Sequence, residues 1–430
     1  MDKELFKKKI EANCICWYDF KQNSKVLIVG ENVQELKEIL ICRKCIVKII
    51  EDISVVSNDK FDYIIIKEKL KILSEAKKML NEKGIILFLV NNKNGLANIL
   101  NNKEKYSKQE IERCLKKLNF STYKFFYPLS NYKQANAIFS DDSLPEYNNS
   151  KLINNVFYEE KDIIKYNEIE AIKLVTKASK FVEYTNSYIV EINNKSDINF
   201  VSFNNSRNEE YRLVTKVYKD KVVKEPANEK AGIHIAQIKE NIELLKDMGF
   251  NILDIYQDGN IISKFVVGKT LYEEIIDLIY CKKTEAAISV LKKWYEYIKN
   301  KCSNLNETYI DLVLENTFYR DGEYLFFDQE WKLENATSDF ILYRAVNNLY
   351  IYNPEISEII TKEEFWARFN INSEKIEEFN KYEKEFQDKV VNKELVAAYD
   401  IEYREKYKNI KPFEFYIKEP FLKKILNKLR

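Results

Sequence analysis

Between residues 25 and 90, short apolar runs alternate with amphipathic stretches, and this alternation restricts the fold more than any other feature of the chain. KVLIVG (25–30), CIVKII (45–50), FDYIII (61–66) and GIILFLV (84–90) read as strands, whereas VQELKEIL (33–40) and LSEAKKML (73–80) carry helical periodicity. Strands that are apolar on both faces must be covered on both, and a strand–helix–strand order joins parallel neighbours. A doubly wound, Rossmann-like α/β domain is therefore predicted over 1–150. Ligands of such sheets lie beyond the carboxyl ends of the strands, where Gly30 closes the first strand and Glu51 or Asp52 the second.

At 430 residues the chain is longer than one hydrophobic core usually supports, so a second domain is expected. With 69 basic against 68 acidic residues, no global field favours nucleic acid. The amino-terminal segment has no apolar signal core, and GIILFLV is too short to span a bilayer, which predicts a cytoplasmic protein. Seven scattered cysteines suit reduced thiols. Cys14, Cys16, Cys42 and Cys45 make a CxC and a CxxC, but free cysteines fit their setting better than zinc. A single histidine, His234, excludes histidine-rich metal sites, and its place within a helical pattern over 228–247 makes it a helix-face residue.

After an Asn-rich stretch (141–170), SYIVEI, INFVSF, EYRLVTKVY and KVVKEP (187–226) read as successive antiparallel strands. A helix follows, then NILDIY and NIISKFVVGKTLYEEI (251–275), then mainly helical sequence. This order predicts a two-lobed α+β domain over 170–350, with lobes 185–267 and 268–350, and a helical carboxy-terminal extension over 351–430. The chemistry concentrates in YIDLVLENTFYRDGEYLFFDQEW (309–331). Asp311 and Asn316 stand five apart, and Asp328 follows an apolar strand. An Asp321-Gly322 turn folds 317–320 back on 323–327 and brings Asn316 and Asp328 to one end of a hairpin. Phosphoryl transfer needs such a set: Asp311 to orient or deprotonate a hydroxyl, and Asn316 and Asp328 as hard oxygen ligands for Mg²⁺.

Two resemblances follow from these residues. VLIVGENVQELKEIL, Glu51, FDYIII and AKKMLNEKGIILFLVNN resemble class I S-adenosylmethionine-dependent methyltransferases, which implies a cofactor turn at Gly30 and a ribose-binding acid at Glu51. That turn has one glycine where several are usual. Residues 309–331 resemble the catalytic and metal loops of protein kinases and aminoglycoside phosphotransferases, with Tyr309-Ile310 and Gln329-Glu330 as departures. By that resemblance Lys224 neutralises ATP phosphates, with Glu240 or Glu243 as its acidic partner and Glu240 preferred. Phe265 to Val267, ahead of Gly268, form the adenine hinge. NNSRNEE (204–210) stands where a glycine-rich loop would lie, with Arg207 and the loop amides as its substitutes.

The two halves together resemble bifunctional methyltransferase-kinases that cap bacterial O-antigen polysaccharides. This implies a saccharide or other small hydroxyl acceptor, ATP with Mg²⁺, S-adenosylmethionine, and partners among glycosyltransferases. The alternatives are an active methyltransferase of a glycan or phospho-glycan, and an inactive scaffold retaining both folds. SEKIEEFNKYEKEFQDKVV (373–391) has helical apolar spacing suited to packing. The basic amphipathic end, within 417–430, suits either packing or peripheral contact with the inner face of a membrane.

Overall fold

A computed structural model describes residues 14–393, apart from 52, 54–58, 97, 99–105, 130, 134, 146–167, 303–306 and 335. The chain divides into two compact units, the second being Ser206–Asn392. Among the described residues Cys14, Cys16, Cys42 and Cys45 form no disulfide, and Cys14 and Cys45 are buried. Asp52, part of the Asn-rich stretch and the segment 417–430 lie outside the described residues. No helix among the described residues is long and apolar enough to cross a membrane.

The first unit runs β1 (Lys25–Val29), α1 (Gln34–Cys42), β2 (Ile46–Ile50), β3 (Phe61–Lys67), α2 (Leu73–Met79), β4 (Leu80–Asn91), α3 (Lys108–Lys117), β5 (Tyr123–Leu129), β6 (Ala137–Ser140), α4 (Glu168–Lys177), α5 (Phe181–Tyr184), β7 (Ser187–Ile192) and β8 (Ile198–Phe203). Its strands lie in the order β8-β6-β5-β7-β4-β3-β1-β2. β2, β1, β3 and β4 are parallel, as the apolar runs require. Val26 to Val29 and Ile64 to Ile66 are buried, and each such side chain contributes about 1.5–3 kcal/mol relative to exposure. At α3, Ser107 and Glu110 form a reciprocal capping box, which fixes where that helix begins.

One boundary differs from the sequence expectation. SYIVEI and INFVSF do not open the second unit. SYIVEI forms β7, inserted antiparallel between β4 and β5, and INFVSF forms β8, paired with β6. The local pattern identifies strands but leaves their partners open. All six residues of β7 are buried, including Glu191, whose carboxylate accepts from the Tyr18 hydroxyl, the Asn194 amide and the Ser196 backbone N–H. Such a strand needs neighbours on both edges and cover on both faces, and the first sheet supplies them.

The second unit runs β9 (Leu213–Tyr218), β10 (Lys221–Pro226), α6 (Gly232–Asp247), β11 (Asn251–Ile252), β12 (Asp254–Gln257), β13 (Asn260–Lys264), α7 (Leu271–Tyr280), α8 (Thr284–Cys302), β14 (Glu307–Tyr309), β15 (Thr317–Arg320), β16 (Glu323–Phe326), β17 (Lys332–Glu334), α9 (Ser338–Tyr352), α10 (Lys362–Arg368) and α11 (Ser373–Val390). Within this unit β12, β13, β10 and β9 lie side by side and antiparallel, and α6 packs on that sheet. β11, β16 and β15 form a second small sheet, and β14 pairs with β17. The extension expected from 351 is part of this unit as far as Asn392. Phe379, Phe386 and Val390 of α11 are buried in the same core as Trp331 and Phe340, which explains their helical spacing.

Candidate functional site

The hairpin β15–β16 forms as its turn residues dictate. Asp321 and Gly322 both have positive φ, 52° and 87°, the requirement of a two-residue turn that matches strand twist. The pairing runs from Arg320 with Glu323 to Thr317 with Phe326, and the Phe327 amide donates to the Asn316 carbonyl at 3.1 Å. Asn316 and Asp328 are thereby fixed at one end. The Asn316 amide nitrogen donates to the carbonyls of Asp311 (3.1 Å) and Asp328 (3.4 Å), so its oxygen is the atom it can offer a cation. Asp328 itself adopts a left-handed conformation, φ 62°. Its backbone N–H is held at 2.7 Å by Asp254 of β12. Asp254 is buried, which pushes its carboxyl up from the ordinary value, while the Ser263 hydroxyl hydrogen bond works the other way.

Asp311, Asn316 and Asp328 line one cavity of about 230 Å³, together with Arg207, Glu330 and Arg344 and with Phe386 and Gln387 of α11. Asp311 is anchored there from two sides. Its Oδ2 accepts from the backbone N–H groups of Glu330 (3.0 Å) and Trp331 (2.9 Å), and Arg344 Nη1 lies 3.2 Å from Oδ1. Burial pushes the Asp311 carboxyl up, and the Arg344 guanidinium opposes that shift. Arg344 also donates to the Ile310 carbonyl at 2.7 Å and pairs with Glu383 of α11 at 3.1 Å.

Lys224, near the end of β10, reaches this site and pairs with Asp328 and with Glu330, the latter at 2.6 Å. Glu240 is not its partner, contrary to the sequence expectation. The Glu240 side chain is 62% exposed and lies 3.8 Å from Lys332, and Glu243 faces solvent beside Lys239. The side chains that α6 turns inward include His234 and Asn241, so helical reach alone assigned the wrong face. Phe265 and Val267, the expected hinge, stand apart from this cavity. The Phe265 amide already donates to the Asp220 carbonyl at 2.8 Å, Val267 is 83% exposed, and neither lines the cavity.

Glu330, read from sequence only as a departure from a motif, lies at the centre of the charge network. Arg207 Nη1 is 2.5 Å from its Oε2, and His234 Nε2 is 3.6 Å away, beyond a hydrogen bond. Burial disfavours its charge, but Arg207, Lys224 and His234 together hold its carboxyl well below the usual range. Asp254 and Arg344 were also missed. The available signals were a charged residue inside the apolar run NILDIY and one arginine in the otherwise apolar stretch FILYRAV.

In the first unit, the Gly30 amide donates to the Ile50 carbonyl at 3.2 Å, so Gly30 and Glu51 share the carboxyl edge of the sheet. Gly30 has φ 151°, and a Cβ there would stand 3.0 Å from the Lys67 Cβ. The Lys67 ammonium lies 3.4 Å from the carbonyls of both Glu31 and Asn32, and Lys69 donates to the Glu51 carbonyl at 2.6 Å. Beside Asn32, Leu36 and Lys67 the described residues enclose about 20 Å³. That is room for a water rather than for a cofactor, whose pockets are typically about 300 Å³ or more.

No protein-family model and no curated protein matches the sequence. Solved structures similar to part of the chain include an S-adenosylmethionine-dependent methyltransferase from Thermotoga maritima. It is 11% identical, with a TM-score of 0.28 over 44% of this chain and 92% of that one. A phosphoethanolamine N-methyltransferase 2 from Haemonchus contortus in complex with S-adenosyl-L-methionine is 10% identical, with a TM-score of 0.24 over 43% of this chain. The match spans 51% of that enzyme's length. A methyltransferase from Geobacter sulfurreducens in complex with S-adenosyl-L-homocysteine is 12% identical, with a TM-score of 0.21 over 43% of this chain and 88% of that one. Likeness at this level carries no argument about activity. The Rossmann-like assignment of the first unit rests on its own parallel strand order.

Proposed function

We propose that the second unit is an ATP- and Mg²⁺-dependent phosphotransferase acting on a saccharide or other small hydroxyl acceptor. The observation that carries this reading is the meeting of Asp311, Asn316 and Asp328 at one polar cavity, with Lys224 paired to Asp328. Its volume suits the phosphate portion of a nucleotide rather than a whole one. Asn316 and Asp328 are the residues that would hold Mg²⁺, a cation that takes one or two side-chain oxygens and fills its shell with phosphate and water. Mg²⁺ there supplies charge neutralisation for the phosphates.

The chain's own residues supply the rest. Lys224 and Arg207 bring positive charge to the phosphate side, which offsets the repulsion between an anionic ligand and Asp328 with Glu330. Asp311 orients the acceptor hydroxyl and receives its proton at Oδ1, the oxygen turned to Arg344 rather than to the backbone. Equilibrium titration of the purified chain with ATP, with and without Mg²⁺, tests the reading: binding strengthened by Mg²⁺ is expected, and no binding at millimolar ATP removes it.

A second reading concerns the first unit. The glycine turn at the carboxyl edge of a parallel sheet favours an S-adenosylmethionine site there, reached when Lys67 swings away from Glu31 and Asn32. Calorimetry with S-adenosylmethionine decides it. A chain silent to both ligands is instead a scaffold that keeps two folds. A role in O-antigen-type glycan assembly, with glycosyltransferase partners and membrane contact through 417–430, belongs to the same proposal and rests on the sequence resemblance.

A further inference from the structure

We propose that Glu330 is the positioning residue for Lys224, so that the phosphate-facing lysine takes its acidic partner from the loop that carries Asp328 and not from helix α6. This deepens the phosphotransferase reading and rests on it. The acidic side chains of α6, Glu240, Glu243 and Asp247, are all turned to solvent, Glu240 beside Lys332 and Glu243 beside Lys239. The inward side of α6 carries instead a histidine and an asparagine. His234 is buried against the Trp331 ring, with centroids 4.4 Å apart, and cannot act as an anion.

Glu330 occupies the vacancy in function. Its side chain is only 5% exposed, one oxygen takes Lys224 at 2.6 Å, and the other takes Arg207 at 2.5 Å. Its backbone is clamped from two directions. The N–H donates to Asp311 Oδ2 at 3.0 Å, and the carbonyl accepts from the Asn241 amide of α6 at 3.0 Å. A carboxylate fixed so firmly holds a lysine in place at little further entropic cost. The two acidic partners of Lys224 then divide their work. When Asp328 turns to a cation, Glu330 still neutralises the lysine, and no buried charge is left alone. Four charges, Lys224 and Arg207 against Asp328 and Glu330, thus balance before ligand arrives.

The test compares wild type, Glu330→Gln, Glu330→Asp and Glu240→Gln as full-length chains. The first readout needs no nucleotide: the rate at which Lys224 is acylated by an amine-reactive ester at fixed pH, followed by peptide mass spectrometry. Losing a buried ion-pair partner is expected to raise that rate about tenfold in Glu330→Gln. Glu330→Asp, which keeps the charge and the fold but shortens the reach, falls between, and Glu240→Gln matches wild type. The second readout is Mg-ATP affinity, expected to fall in Glu330→Gln and to recover partly in Glu330→Asp. Equal labelling of Lys224 in all four chains overturns the assignment of Glu330. A wild-type chain that fails to bind Mg-ATP while Glu330→Gln still frees Lys224 overturns the phosphotransferase reading and leaves the pairing intact.

Discussion

Replacing Asp328 by Asn separates the chemistry of this position from its folding. Asp328 sits at φ 62°, a conformation that Asn adopts as readily as Asp, whereas Ala would add about 1 kcal/mol of backbone strain. The Asn side chain also keeps nearly the same shape. What is lost is one charge, paired with a lysine that retains Glu330 at 2.6 Å. The Asp328 carboxylate is 36% exposed, so its pair with Lys224 is discounted by solvent and contributes about 1 kcal/mol or less. A unit of this size then loses at most about 2–4 °C in melting temperature.

The ligand response should change far more. Ligand at a hundred times its Kd stabilises the native state by about 2.7 kcal/mol, a rise of roughly 5–10 °C. In wild type, thermal-shift curves with ATP are expected to rise further when Mg²⁺ replaces EDTA. In Asp328→Asn that increment should disappear, because a neutral amide is a poor substitute for a carboxylate on a hard cation. Binding of metal-free ATP should persist, since Lys224 is released toward the phosphates. The reasoning is refuted if the variant shows the full Mg²⁺ increment, or if it melts tens of degrees lower without any ligand.

Other perturbations address neighbouring parts of the argument. Glu330 has a folded-state pKa held low despite burial, so its stabilisation is fully present above the unfolded carboxylate value of about 4.3 and is lost as pH falls through the folded value. Urea denaturation between pH 3 and 7 should show this acid loss in wild type and a flatter profile in Glu330→Gln; Asp254 and Asp311, raised by burial, act with the opposite sign. Arg344→Ala removes the cation beside buried Asp311 and the donor to the Ile310 carbonyl, and should destabilise the second unit by about 3–5 kcal/mol in the same assay. Lys67→Ala opens the edge beside Gly30. If S-adenosylmethionine enters there, calorimetry should register tighter binding in that variant than in wild type, and identical heats in both exclude the site.

Much of this architecture was legible because it depends on local pattern. The apolar runs of β1, β3 and β4 are continuous since both of their faces are covered, and the Asp321-Gly322 turn sets the register that unites Asn316 with Asp328. The five-residue spacing of Asp311 and Asn316 likewise survives into the structure, because a short loop fixes both and the Asn316 amide returns to the Asp311 carbonyl. Partner choice was another matter. SYIVEI has the pattern of any buried strand, and only the sheet decides that it lies between β4 and β5.

The same division holds at the cavity. Composition and spacing determined which residues carry oxygen, charge and turn geometry, for those are properties of a side chain and its immediate neighbours. Which carboxylate meets Lys224 was decided by the rotation of α6, which turns Glu240 to solvent and His234 inward, and by the fold of the loop that delivers Glu330 from far along the chain. An ion pair forms between atoms close in space, and a burial penalty exists only once other segments exclude water. Neither quantity is defined until the tertiary structure has closed around them.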